Sequence, residues 1–493
     1  MKLKRIWPVL GLIWFIAGFI PAFAKEQPDF TKYLAGEYWR QQALTEIIPF
    51  WIPTIDKKGG GFFTDIKNNG SIGWNRKKYP RMISRAVYGF SAAYLLSGDK
   101  KYLDFAKHGL NYLKKYGWDK ANGGWFTELD AQNRPTVDTK DLFDESYGNL
   151  GPIFYYYATG DQSALNLVQK THQLLKEKAW DKEYQGYYTM VARDWSQYST
   201  EKSFNSQIDI ATAYLIYYYL ALKDPALLND IKDIGNVAVN HMYDPECGYI
   251  HEWFDREWQH RPCYLGNKNQ VEVGHNLKTA WVLFRTYQLT REPKYREYAK
   301  KIAGKLLDTA WDKQNYGWYF TKNDRHPAAG GREKSKCWWT QTEGNFMLLN
   351  LYHITKETRY LDYFRKNAYF WDKYLVDHRH KEVYSYVTQT GHPLAALKGD
   401  LYKSAYHTME NALMNYLYLE LYVHKKTATL YFNLSAATEG AKHYVNILED
   451  PAVAIQKVEI DGADWDRFDA RKGYVVLPKG NGMNLKVTLG VRE

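Results

Sequence analysis

Cysteine is scarce in this chain, with only Cys247, Cys263 and Cys337 among 493 residues. That excludes a disulfide-dense scaffold. A Cys247 to Cys263 bridge is compatible with the sequence without being fixed by it, and Cys337 has no metal-ligand spacing around it. The His and carboxylate runs EWFDREWQH and DHRHKE also lack firm zinc spacing and read as surface loops, so no metal is expected. No long Lys/Arg block is present, which argues against a dedicated nucleic-acid arm and removes nucleic acid from the expected partners. No phosphate loop, dinucleotide fingerprint or nucleophile elbow stands in a suitable strand-to-helix context, and no cofactor is expected.

Long apolar runs are missing too, apart from Ile6 to Ile20. That run follows Lys2, Lys4 and Arg5 and precedes Ala22 and Ala24 on either side of Phe23, the pattern of a secretory signal over residues 1–24 cleaved after Ala24. The run is short for a membrane anchor and contains Pro8. The expected product is an exported protein, periplasmic or secreted, with no stable membrane insertion after cleavage. Removing the three basic residues of the leader from the formal charge of +11 leaves a surplus of eight, read as a solvated surface.

What is abundant is a repeat. Asp56, Asp119, Asp181, Asp244, Asp312 and Asp377 each open a turn rich in Gly and aromatic residues, at spacings of 62 to 68 residues. About 26 to 31 residues after each aspartate a second pattern begins, at Arg85, Tyr147, Gln207, His275, Gln341 and His407. These runs, such as RAVYGFSAAYLL and TEGNFMLLNLY, are apolar around most of their circumference and read as buried helices. Amphipathic runs such as KYLDFAKHGLNYLKKYG lie between them and read as an outer layer. Six inner and six outer helices predict a mainly α chain folded as an (α/α)6 barrel over residues 25–425. Over 426–493 the runs TATLYFNL, KVEIDG, YVVLP and LKVTL predict a small β-sandwich, structural or glycan-contacting.

In such a barrel the turns and inner-helix starts gather at one mouth. The candidate lining is Arg85, Tyr147, Gln207, Asp209, His275, Lys278, Gln341, Glu343 and His407, a mixture suited to sugar hydroxyls. Of the tryptophans expected near the mouth, Trp125, Trp318, Trp338 and Trp339, the last two are the candidate sugar platforms. His275 and His407, at matching places in different repeats, are the strongest catalytic candidates. A helix N-terminus is expected to lower both imidazole pKa values.

Taken together, GGFFTDI with SRAVYGFSAAY, FNSQIDIATAY, GHNLKTAW, KCWWTQTEGN and YHTMENAL resemble the N-acylglucosamine 2-epimerase superfamily over roughly residues 30 to 425. That superfamily includes cellobiose 2-epimerases and mannose isomerases. The resemblance implies cofactor-free proton movement at C2 of a reducing-end mono- or oligosaccharide through an enediol or enediolate. It implies His275 and His407 as acid and base, and Arg85 as the group that stabilises the developing oxyanion. Two positions depart from the family pattern. Lys278 stands where the family usually has glutamate, and Asp209 where it usually has histidine. A cation at Lys278 would disfavour protonation of His275 or bind an acidic substrate group.

Two other functional classes stay open on the sequence. One is a glycan hydrolase using Asp209 and Glu343, which needs carboxyl groups about 5 to 10 Å apart, or a lyase using His407 with Tyr147 or Tyr406. The other is a noncatalytic glycan-binding protein that kept the barrel.

Overall fold

A computed structural model describes residues 29–261, 271–322 and 334–492. The expected leader, residues 1–24, and Cys263 lie outside the described residues.

The chain forms an (α/α)6 barrel followed by two small antiparallel sheets. The inner helices are Pro80–Ser97, Leu142–Thr159, 204–222, Val273–Thr290, Trp338–Thr355 and Tyr406–Tyr418. Their apolar circumference has a direct structural counterpart, because all of Pro80 to Leu96 is buried in the first of them. The outer helices bury one face only. In Lys100–Tyr112, for example, Tyr102, Leu103, Ala106, Gly109, Leu110 and Tyr112 point inward. In the first three repeats the inner helix passes to the outer one through a left-handed residue and a capping aspartate. Gly98 (φ 72°) is followed by Asp99, whose carboxylate accepts the Lys101 amide, and Gly160 is followed by Asp161 in the same way.

The ring closes between the first and sixth repeats. Strand Ile66–Lys67 pairs with Leu397–Gly399, and Gly89 lies so close to Ala405 that an added Cβ would stand 2.4 Å from the alanine's own. Trp51 donates to Glu382 at 2.7 Å across the same seam.

At the opposite end of each helix pair, the repeat aspartate organises a hairpin. In the first repeat Asp56 Oδ1 accepts the Lys58 and Gly59 amides while Oδ2 takes the Lys78 ammonium at 2.8 Å. The same pin recurs as Asp181 with Lys202 (3.2 Å), Asp312 with Lys336 (2.9 Å) and Asp377 with Lys398 (2.7 Å). In the second repeat Arg193 takes the closer position on Asp119, at 2.9 Å, with Lys140 at 3.7 Å. These lysines are buried, so each must be paired to be tolerated.

The C-terminal sheets have strand orders Ala428–Ala436, Gly480–Val491, Val453–Ile460, Ala463–Trp465 and Ala441–Tyr444, Tyr474–Leu477, Phe468–Asp469. They sit at the end of the barrel away from the hairpins. Tyr431 packs on Gly98, the His443 ring lies 2.9 Å from the Tyr157 carbonyl, and buried Arg285 donates to Glu449 at 2.8 Å. This placement makes the sheets a floor under the barrel and not part of its mouth.

Replacing Lys336 with Met strands Asp312 in the interior, and breaking a buried pair costs about 3–5 kcal/mol. Urea unfolding of Lys336→Met is expected to show a loss of that size. Lys457→Met, which removes a solvent-exposed pair with Glu459 and Asp464, is expected to leave the midpoint unchanged. Equal effects from both would contradict the pinning role.

Candidate active site

Four of the hairpins, those of Asp119, Asp181, Asp244 and Asp312, are each clamped to the next inner helix by one polar side chain. Glu145 accepts the Trp125 amide, Gln207 the Tyr187 amide, Asn276 the Ile250 amide and Gln341 the Trp318 amide, all at 2.7 to 3.0 Å. Gln207 and Gln341 also donate to the Tyr187 and Trp318 carbonyls. Both amides are therefore consumed by backbone, which corrects their expected place in a substrate-contacting ring. The equivalence drawn from sequence mixed two layers. The clamps are in register with one another, and His275 and His407 are not in register with them.

Two residues beyond the clamps stand Tyr147, Asp209, Lys278 and Glu343. They converge on the barrel axis. Lys278 Nζ donates to Asp209 Oδ1 at 2.9 Å and to the Tyr147 hydroxyl at 3.1 Å, and lies 4.0 Å from Glu343 Oε1. Tyr147 donates to Asp209 at 3.1 Å. The first inner helix adds Arg85, whose guanidinium lies 3.8 Å from the Tyr147 ring centre. The sixth adds Glu410, which accepts from Tyr217 at 3.0 Å. Burial and the nearby Glu343 push Glu410 up to about 8. Burial opposes ionisation of Glu343 as well, but Lys278 and His407 outweigh it and hold this carboxyl below its ordinary range.

One turn above this ring the two imidazoles face the same space. His275 stacks on Phe204 with ring centres 3.8 Å apart, and its Nδ1 is 2.7 Å from Glu252 and 3.5 Å from Glu272. Burial alone would lower its pKa, but the two carboxylates dominate and raise it to about 9. This overturns the expectation that the helix N-terminus would keep His275 neutral: full carboxylate charges outweigh the partial charge of a helix end. His407 goes the other way. Burial, helped by Lys278 and Arg85, lowers it to about 4 despite Glu343 Oε1 at 3.2 Å from its Nδ1. Lys278 thus acts on His407, and its partner is Asp209, so the expected repulsion of a protonated His275 is not what governs that residue.

Trp339 lies between the imidazoles, 5.2 Å from His275 and 6.0 Å from His407 by ring centres. Gly274 makes room for it, since a Cβ there would stand 2.2 Å from the indole. Trp338 is buried edge-on against Tyr386. Trp125 and Trp318 are wholly buried and do not reach the mouth. Among the described residues, Arg85 Nε, Glu252 Oε1 and Trp338 Nε1 are buried polar atoms without a hydrogen-bond partner, while Glu343 Oε1 and His407 Nδ1 face each other at 3.2 Å. Such atoms are costly unless something polar completes them, and a polyhydroxylated ligand offers that complement.

Residues 61–411 match the family model of N-acylglucosamine 2-epimerase (GlcNAc 2-epimerase). The chain belongs to this family. Among characterised members of known sequence, it is 24% identical over 397 residues to the cellobiose 2-epimerase of Dictyoglomus turgidum, covering 76% of this chain and 96% of that one. It is 23% identical to the D-mannose isomerase of Marinomonas mediterranea, covering 74% and 93%. The solved cellobiose 2-epimerase from Spirochaeta thermophila has the same fold, with a TM-score of 0.70 at 23% identity over 79% of this chain and 97% of that one.

Within the N-acylglucosamine 2-epimerase pattern, the two departures noted in the sequence prove to be contact partners. Lys278 and Asp209, standing where the family usually has an acid and an imidazole, meet as one ion pair with both side chains almost fully buried. Lys278→Met is expected to cost about 3–5 kcal/mol by leaving Asp209 buried without its cation. Lys278→Met with Asp209→Asn is expected to recover most of that loss in a denaturant titration. Additive losses would contradict the pairing.

Proposed function

We propose that this protein is a sugar epimerase or aldose–ketose isomerase that moves a proton at C2 of a reducing-end sugar through an enediolate. The observation that carries this reading is a pair of imidazoles, His275 and His407, whose ring centres both stand within 6.0 Å of Trp339, the first beside Glu252 and Glu272 and the second beside Glu343. In the proposed reaction the open-chain aldose lies against Trp339. Neutral His407 takes the C2 proton, the electron pair moves into the C1–C2 bond, and the carbonyl oxygen becomes an oxyanion beside Arg85. Protonated His275 then returns a proton, to the other face of C2 for epimerisation, or to C1 for isomerisation with the O2 hydroxyl proton passing to O1 as the C2 carbonyl forms. Exchange with solvent resets the two imidazoles.

The charge around the axis supports an uncharged substrate. Arg85 and Lys278 are balanced by Asp209 and Glu343, and Glu410, with its pKa near 8, is mostly protonated at neutral pH. Lys278 is occupied by Asp209 and Tyr147, which argues against a role in capturing an acidic sugar. The same pairing disfavours the hydrolase alternative. A glycosidase acid needs a raised pKa, and Glu343 is lowered. For the lyase alternative, Tyr147 is raised to about 12 by burial and Asp209, the wrong direction for a base. The N-terminal pattern Lys2 to Ala24 supports action outside the cytoplasm, and the purified protein is then expected to begin at Lys25.

In D2O, NMR with a panel of reducing mono- and disaccharides is expected to show deuterium entering C2 together with a new epimer or ketose. His275→Asn and His407→Asn should each lower the rate by about 10²-fold or more while the circular dichroism spectrum is retained. His407 is neutral above its lowered pKa and His275 charged below its raised one. Activity should therefore span a plateau from about pH 4 to about pH 9. Exchange that survives His407→Asn, or no exchange with any sugar, would overturn the proposal.

A further inference from the structure

The fourth repeat breaks the pinning rule. Seven residues after the repeat aspartate the other repeats carry an aromatic ring: Phe63, Phe126, Tyr188, Tyr319 and Tyr384. Here that position is His251, and its Nε2 lies 2.8 Å from Asp244 Oδ2, the oxygen that takes a lysine or arginine elsewhere. Three residues after the aspartate stands Cys247, partly buried and unbridged among the described residues. Ligand atoms of Asp244, Cys247 and His251 all lie within 4.8 Å of one another. His260 stacks on the His251 ring with centres 3.7 Å apart, which fixes its plane.

We propose that Asp244, Cys247 and His251 bind one zinc-class divalent ion. A thiolate, an imidazole and a carboxylate are the donor types that such an ion selects, and bonds of about 2.0–2.3 Å require the three donors to close together by only about 1 Å. The Cys247 thiol releases its proton to solvent on binding, and the thiolate and carboxylate charges then cancel the dication. Water completes the tetrahedron. The Asp244 oxygen that accepts the Glu246 and Cys247 amides is untouched, so the turn is kept. The sequence reading expected no metal because EWFDREWQH, DHRHKE and the surroundings of Cys337 lack ligand spacing; Asp244, Cys247 and His251 were not weighed together.

The site adjoins the imidazoles through the chain itself, since Glu252 follows His251 directly and accepts from His275 Nδ1 at 2.7 Å. Metal binding would hold the short segment between strands Tyr249–Ile250 and Trp253–Phe254 that presents this carboxylate.

The test uses the reduced, full-length purified protein, stripped with chelator, and Zn2+ alone as the probe. Calorimetry and metal analysis are expected to give one zinc per chain. Cys247→Ser and His251→Tyr should each weaken binding by at least about tenfold. His251→Tyr restores the residue type of the other repeats and is expected to fold, which separates loss of the site from loss of structure. Three results would overturn the proposal: no stoichiometric binding, binding unchanged in both variants, or a Cys247–Cys263 disulfide found by peptide mass in the protein as purified. The experiment makes no use of turnover, so its outcome is independent of the proposed reaction.

Discussion

The mouth of the barrel hangs on buried carboxylates that each accept backbone amides through one oxygen and, in five repeats, a lysine or arginine through the other. Asp56, Asp312 and Asp377 show the pattern with a lysine, and Asp119 and Asp181 show it with Arg193 and Arg256 added. Because four hairpins, three of them pinned in this way, are tied to the next inner helix by Glu145, Gln207, Asn276 and Gln341, the register of that helix is set relative to the turn. The residue two places further on must point at the axis. Tyr147, Asp209, Lys278 and Glu343 reach one another for that reason, although more than sixty residues separate each from the next.

A site assembled in this way can hold neighbouring groups in unlike electrostatic surroundings. His275 draws two carboxylates from the loop and strand before its helix, Glu252 and Glu272, and stays charged. His407 has Glu343 alone, and that carboxylate is already engaged by Lys278 and by the Trp281 indole. Two cations and deep burial then leave His407 neutral. The same residue type at comparable places in two helices is thus prepared for opposite roles by what surrounds it.

Much of this was legible in the sequence. The repeat aspartates, the two helix types and the β-branched C-terminal runs give the architecture directly, since periodicity reports burial. The pins were not legible, because Lys78, Lys140, Lys202, Lys336 and Lys398 sit in segments without periodicity, and a lysine in a loop reads as solvated. Gln207 and Gln341 were misplaced because an amide at a helix start fits a backbone clamp as well as a sugar hydroxyl. Glu252 opens the run EWFDREWQH, read from sequence as a surface loop, and the structure corrects that reading by burying it against His275; Glu272 and Glu410 carried no local signal, since their effect is felt only across contacts the sequence does not display. The Lys278 and Asp209 departures were visible singly, while their pairing required the fold.

The central claim is that the two imidazoles differ in charge at the same pH. Nitrogen-15 NMR of histidine-labelled protein, assigned with His275→Asn and His407→Asn, measures this without a substrate. The account predicts that at pH 7 His275 shows the doubly protonated pattern and His407 the neutral one, with the two titrating near 9 and near 4. Two imidazoles that titrate together near their ordinary pKa would contradict it.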